Sequence, residues 1–320
     1  MKSGLRTSLA GLAYQKNSTN PGLWFHKYLA EQPQKSEKDP LTPYQELVSA
    51  CRDIGEPGGY PAFFNRWEQT MLDLGVQLKT AEVCGRLAAG LGNESLIENG
   101  LMLHHTYGVP IIRGSSLKGA AAAYADKHLS GIWKKDQAAY ETVFGTQKGA
   151  GFVTFFDALP VPGTWDLHPD VITVHHPEYY QNGNSAPADW DSPTPIPFMT
   201  ATGDFLIALH AADAPAWAGV AYGILKMALD EAGVGAKTSS GYGRLLYTPP
   251  KGYERGRVKD FGLGPHQSFG HIVSDKHGDE IFVHENNLRS GLDTLHDGDS
   301  VFYRREKSNQ GWQAMDVHLA

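Results

Sequence analysis

Two adjacent prolines, Pro249 and Pro250, divide this chain into two kinds of sequence. Before them, strand-like and helix-like segments alternate. Beyond them, only short strand-like segments follow, separated by turn signals. Proline has no N–H to give to a strand ladder and turns its predecessor away from helix, so the pair reads as a linker. A chain of 320 residues fits one large and one small domain. The expected domains are 1–250 and 254–320.

Composition removes several classes. Hydrophobic residues make up 41% and charged residues 20%, an ordinary globular balance. The two cysteines, Cys51 and Cys84, lie far apart and outside any CxxC pair, which argues against a disulfide framework and a cysteine-rich zinc site. The opening "MKSGLRTSLAGLAYQ" has too short an apolar run for a signal peptide, and no run approaches a membrane span. A cytoplasmic protein without membrane partners is expected. The net charge of −7 disfavours a stand-alone nucleic-acid binder, because phosphate contacts drive such binding. Residues 251–320 hold 9 Lys+Arg against 11 Asp+Glu, so any RNA binding must be carried by particular loops.

The first domain opens on a partly irregular, proline-punctuated arm (17–45) anchored at Leu23, Trp24 and Phe25. Apolar residues at helical spacing predict a helix over 60–74. Strands are expected over 78–91, 101–105, 109–112 and 151–160, and a helix from Ser116 to about Ser130 with Gly131 as its C-cap. Residues 160–197 are rich in proline, histidine and aromatics with little periodicity, a long loop of the kind that is usually functional. A strand beginning at Phe198, a helix from Pro215 to Gly233, the loop "GVGAKTSSGYGR" and the strand "LLYT" complete it. This β-α-β alternation predicts an α+β fold of the ferredoxin-like kind.

Two loops carry the candidate chemistry. In "RGSSLKG", Ser115-x-x-Lys118 matches one word of a Ser–Lys acyl transferase, but the companion S-D-N is absent. In "GVGAKTSSGYG", Glu231 and Ala236 stand where a P-loop needs glycines, and the loop follows a helix instead of preceding one. Two alternatives remain. The serines and glycines only cap and turn the chain, or the loops cradle RNA phosphates. For the second, a helix start capped by Ser115 or Ser116 offers free N–H groups, and Arg113 and Lys118 add charge. Lys237, Thr238, Ser239, Tyr242 and Arg244 offer similar contacts, with a tyrosine able to stack on a base.

"LIENGLMLHHTYGVPIIRGSSLKGA", "VFGTQKGAGFVTFFDALP", "HHPEYYQNGNSAPADWDSPTPIPFM" and "GVGAKTSSGYGR" together resemble the RAMP family of CRISPR proteins, in particular the sixth-subunit branch of type III-B Cmr effector complexes. The resemblance covers roughly residues 20–247. Arg113 departs from it, standing where a proline is common. It implies an RRM-like core, a non-catalytic backbone role near the 3′ end of the guide RNA, and neighbouring RAMP subunits, in a ribonucleoprotein that targets RNA for antiviral defence. Guide RNA and complementary target RNA are the implied partners. A protruding thumb is also implied, with residues 160–197 as its candidate. Lys148, His175, Tyr179 and Tyr180 then join the RNA-binding set. Cleavage in such complexes belongs to subunits with a loop aspartate. Asp157 is expected inside a strand, and the pairs His104–His105 and His175–His176 lack metal-ligand spacing with carboxylates. Neither a metal nor a cofactor is expected; intrinsic ribonuclease activity is the alternative, and a Ser–Lys acyl transferase a more remote one.

Beyond the linker, five strand-like segments predict a small OB-type Greek-key barrel. "GRVKDF", "SFGHI", "DEIFVH", "LHDGDSVFY" and "GWQAMDV" resemble a cold-shock domain. The resemblance implies a single-strand-binding face of Lys259, Phe261, Phe269, His271, Phe282 and His284. Asp260, His271 and Glu285 depart from it, each where an aromatic residue is usual. The barrel is thus either a weakened nucleic-acid platform or a protein-docking module.

Overall fold

The computed structural model describes residues 11–30, 42–97, 99–176, 179–180, 186–191, 193–212, 214–249, 252–262, 268–289, 292, 294–308 and 311–320. The chain divides into two compact units, 1–246 and 247–320.

The first unit opens with helices α1 (Pro21–Lys27), α2 (Thr42–Ile54) and α3 (Tyr60–Asp73). Asn20 starts α1 by accepting the Leu23 N–H, with Pro21 in the first turn where no N–H is needed. The buried side chains of α2 (Leu47, Val48, Cys51, Ile54) make one stripe at helical spacing. With Phe25 and Leu29, Leu47, Val48 and Cys51 close a core over Ile97, Leu101, Leu167, Met199 and Ala201. The described part of the N-terminal arm is therefore a packed layer.

The central sheet contains β1 (Gln77–Cys84), β2 (Thr154–Phe155), β3 (Leu159–Pro160), β6 (Asp204–His210) and β7 (Arg244–Tyr247). Its order is β2-β6-β1-β7, with β3 also on β6. Helix α4 (Gly114–His128) follows β1, and α6 (Pro215–Met227) follows β6. That is the ferredoxin-like arrangement: two β-α-β halves with the first and third strands at the centre. β6 is buried from Phe205 to Leu209, as a strand covered on both faces should be. A short helix, α5 (Ala138–Phe144), precedes β2.

Several expected strands are corrected. β1 stops at Cys84, where Gly85 takes φ +86°, and only an isolated bridge from Leu87 to Ala201 continues it. Residues 101–112 form an irregular turn with single bridges Leu103–Pro110 and Ile112–Ala158, because the His104 side chain accepts the Thr106 N–H and Pro110 has none to give. Residues 151–160 break into β2 and β3 around Asp157, which lies in neither.

The largest correction concerns residues 160–197. Residues 166–174 and 194–197 of that stretch are strand: β4 (Asp166–Val174) and β5 (Thr194–Thr202) pair antiparallel from Asp166–Thr202 to Val174–Thr194. Pro195 and Pro197 share one phase of β5. In a two-stranded ladder one phase points its N–H groups away from the partner, so both prolines sit there without losing a bond.

The second unit is a closed barrel of β8 (Glu254–Lys259), β9 (Phe269–Ser274), β10 (Glu280–His284), β11 (Ser300–Ser308) and β12 (Gly311–Leu319), in the order β10-β12-β11-β8-β9. Val258, Phe261, Ile272, Ile281, Val283, Val301, Tyr303, Ala314 and Val317 fill it. Gly270 is required where β9 passes Phe261, because a Cβ there would lie 2.4 Å from the Phe261 Cα.

Surface ion pairs tie this barrel. Arg289 donates to both Asp316 oxygens at 3.0 Å, Arg305 to both Asp279 oxygens at 2.7 and 3.0 Å, and Lys259 to Glu280 at 2.6 Å. Hydrogen bonds from these cations hold Asp316, Asp279 and Glu280 below the usual carboxylate range. Groups depressed on folding add stability above their unfolded pKa, near 4, and lose it as pH falls. The melting temperature of residues 247–320, read from Trp312 (the fragment's single tryptophan), is therefore expected to drop steadily below about pH 4. Asp316→Asn should flatten that drop; an unchanged profile would mean that its pair with Arg289 adds nothing.

Candidate nucleic-acid interface

Helix α4 starts at Gly114 with Arg113 as its N-cap, in extended backbone and without a side-chain cap bond. Ser115 and Ser116 are thus inside the first turn, both exposed, and the expected serine cap is corrected. Asp157 does the nearest equivalent work: its Oδ1 accepts the Gly114 N–H at 2.8 Å. A carboxylate there also answers the positive end of the helix dipole. Gly114 itself is fixed by space, since a Cβ would lie 2.1 Å from the Phe155 carbonyl oxygen.

The glycine-rich loop is sewn to the segment after β1. The Val234 N–H donates to Gly243 O, the Ala236 N–H to Ala88 O and the Gly243 N–H to Arg86 O, each at 2.8 Å. Gly233, Gly235, Gly241 and Gly243 all take positive φ, as does Lys237 at +58°. These bonds bring the loop beside α4, so that Ser116 and Thr238 line one open cavity of about 420 Å³ with Tyr124, Lys127 and His128. Neither Lys127 nor His128 was singled out from sequence. Residues 116, 120, 123 and 127 fall on one helical stripe, a signal that could have found the first.

The other expected contacts lie around this groove or away from it. Lys118 is half-buried one turn into α4, while Ser239 and Arg244 are exposed, with Arg244 Nη2 donating to Glu231 O at 3.0 Å. Arg113 lines a different cavity, of about 730 Å³, with Lys27, His26, His104 and His105; its Nε lies 3.2 Å from Met102 Sδ. Tyr242 is engaged by the hairpin: its hydroxyl donates to Asp170 Oδ2 at 2.7 Å, and its ring lies 6.0 Å from Phe198. Burial, then Asp170, raises its phenol pKa. Lys148 is exposed in the 145–150 turn, and it lines neither cavity.

At the far end of the β4–β5 hairpin, His175, Tyr179, Tyr180 and Trp190 are exposed, Tyr180 at 73% and Trp190 at 88%. His176 Nδ1 lies 2.8 Å from Asp191 Oδ2, and that bond holds the Asp191 carboxyl low. Exposed rings at the end of a two-stranded ribbon are suited to contact with bases or with another chain.

On the barrel, Lys259 of β8, His271 of β9 and Phe282 of β10 stand in register on one outer face, with Phe269 opposite His284 beside them. The Phe269 and Phe282 rings are 5.5 Å apart. Phe261 is a correction: only 7% exposed, it belongs to the barrel core and to no stacking surface. Asp260 has φ +56° and donates its N–H to Asp297, a left-handed position that aspartate tolerates better than an aromatic residue does.

The RAMP superfamily model matches residues 80–246, more than half of the chain. The chain belongs to the RAMP superfamily. Residues 254–320 match the 'cold-shock' DNA-binding domain. A curated relative, the CRISPR system Cmr subunit Cmr6 of Pyrococcus furiosus, is 32% identical over 221 residues, covering 50% of this chain. The chain spans 65% of that relative's length. Among solved structures, the cryo-EM structure of the type III-B Cmr-beta bound to cognate target RNA aligns over 67% of this chain and 76% of its own, at TM-score 0.52 and 20% identity, and shares the fold. The crystal structure of Cmr6 from Pyrococcus furiosus aligns over 54% of this chain and 98% of its own at TM-score 0.36 and 29% identity. Among the described residues, no group of His, Cys, Asp and Glu is placed to hold a metal ion, and no helix is long and apolar enough to cross a membrane.

Proposed function

We propose that this chain is a non-catalytic, RNA-binding backbone subunit of a type III-B CRISPR effector complex. In this role it holds the 3′ region of the guide RNA and the guide–target duplex beside other RAMP subunits. The observation that carries the proposal is the groove that seats Ser116 of α4 next to Thr238 of the glycine-rich loop, in a RAMP fold related to a Cmr subunit. Hydroxyls and cations along such a groove suit a phosphate backbone read without regard to sequence. The β4–β5 hairpin, with aromatic side chains at its far end, is the element proposed to wedge into the duplex.

Two contacts support the non-catalytic part. Asp157 Oδ1 serves the start of α4, and His104 Nδ1 accepts the N–H groups of Thr106 and Tyr107 at 3.2 and 3.4 Å. Burial pushes the His104 pKa down, which keeps the ring neutral. Co-expression with the other subunits of its complex should yield RNA of defined length, and the isolated protein should leave RNA intact with and without divalent metal. Protein that purifies free of RNA and partners would overturn the proposal.

Arg113→Ala with Lys118→Ala should weaken RNA binding by the assembled complex while leaving its assembly intact. Removing one cation from a single-strand phosphate should reduce the slope of log K against log salt by about 0.7. An unchanged slope would reduce the α4 loop to a structural turn.

A further inference from the structure

A further cavity of about 370 Å³ is walled by Phe63, Trp67, Phe155, Phe156 and Leu159, with Asp157 and His104, which also lines the 730 Å³ cavity, as its ionisable groups. It is near the lower end of small-ligand pockets in size and open to solvent, with aromatic rings and polar atoms sharing its lining. Its walls are braced from behind. Phe63 stacks on Tyr107 at 4.7 Å, and Trp67 and Phe156 pack on the core of Met71, Val76 and Ala208.

Both polar groups have unused capacity. Because His104 Nδ1 accepts two backbone N–H groups, the neutral ring must carry its proton on Nε2, which has no hydrogen-bond partner among the described residues. Asp157 spends Oδ1 on Gly114 and has no partner on Oδ2 among the described residues. The cavity therefore presents aromatic faces, one N–H donor and one carboxylate acceptor.

We propose that this cavity receives an unstacked nucleobase, and that guanine fits it best. Guanine sets two N–H donors beside one carbonyl on a single edge, which answers a carboxylate with a ring N–H nearby, while the aromatic walls take its faces. The base would come from the RNA of the role proposed above, on which this inference rests. Asp157 then joins two functions, since the carboxylate that receives the base also holds the first turn of α4.

The test uses the full chain and free nucleotides. GMP, AMP, CMP, UMP and ribose 5-phosphate are titrated separately by calorimetry. GMP is expected to bind about ten-fold more tightly than ribose 5-phosphate and ahead of the other three nucleotides. Asp157→Asn keeps an oxygen for the Gly114 N–H and should abolish the preference, with only a small fall in melting temperature from the lost charge at the start of α4. His104→Asn keeps an acceptor for the turn, removes the Nε2 donor, and should reduce the preference. Equal binding of all five, preference for another base, or a guanine preference that survives Asp157→Asn would overturn the inference. RNA co-purifying with a chain that shows no nucleotide preference would overturn this pocket alone. A guanine preference in a chain that never carries RNA would overturn the subunit role and leave the pocket standing.

Discussion

Gly243→Ala is expected to destabilise the first unit by about 2–6 kcal/mol, the sum of a left-handed backbone at a residue with a side chain and of overpacking. Gly243 takes φ +71°, and a Cβ would lie 1.9 Å from the Val234 carbonyl oxygen. That oxygen cannot simply retreat, because the Val234 N–H is bound to Gly243 O at 2.8 Å and Val234 is itself buried. The Gly243 N–H is bound in turn to Arg86 O, so relief by backbone shift would unpick the loop from the segment after β1. Gly241 separates the two causes. Its φ is +89° but nothing lies within 4 Å of the added Cβ, so Gly241→Ala should cost only the backbone strain, about 1–3 kcal/mol. Urea unfolding of both variants, followed by circular dichroism, gives the comparison. Equal losses would show that the close approach to Val234 is relieved by movement, and that the loop is looser than these hydrogen bonds imply.

That loop also marks how far sequence reaches into this molecule. Gly233, Gly235 and Gly243 announce tight turns, and the stripe of Leu117, Ala121 and Tyr124 announces α4. Both are local patterns, written within a few residues of where they act. The barrel was legible for the same reason, since its strands alternate and its turns are punctuated. What was not legible depends on partners distant in sequence. Asp157 serves Gly114, 43 residues away, and Tyr242 reaches Asp170 across 72. The β4–β5 hairpin was hidden by Pro169, Pro195 and Pro197, which speak against a strand unless one knows that only two strands pair there. Phe261 was misplaced because a word match cannot say which way a side chain points; its burial among the barrel's core side chains settles it.

The barrel carries the other large effect. Residues 247–320, produced alone, are expected to fold, because a closed barrel with its own core leaves no strand edge to protect. They should bind single-stranded RNA weakly. Two rings, Phe269 and Phe282, remain to stack bases, and the nearby cation is compromised: Lys259 is bound to Glu280 at 2.6 Å. Residues 251–320 also hold more acidic than basic side chains, which repel a polyanion. Binding of a labelled oligoribonucleotide should fall on Phe282→Ala and again on Phe269→Ala, each by about 1–3 kcal/mol if each ring carries one base. Glu280→Gln leaves Lys259 free for phosphate and should tighten binding while steepening its salt dependence. In an assembled complex, tethering would let even this weak site hold a strand, because the second binding step becomes intramolecular. Anisotropy at two salt concentrations measures all four proteins. Tight binding that survives both alanine substitutions would place the RNA on another face of the barrel. No binding by any of them, Glu280→Gln included, would leave the barrel as a surface for protein partners.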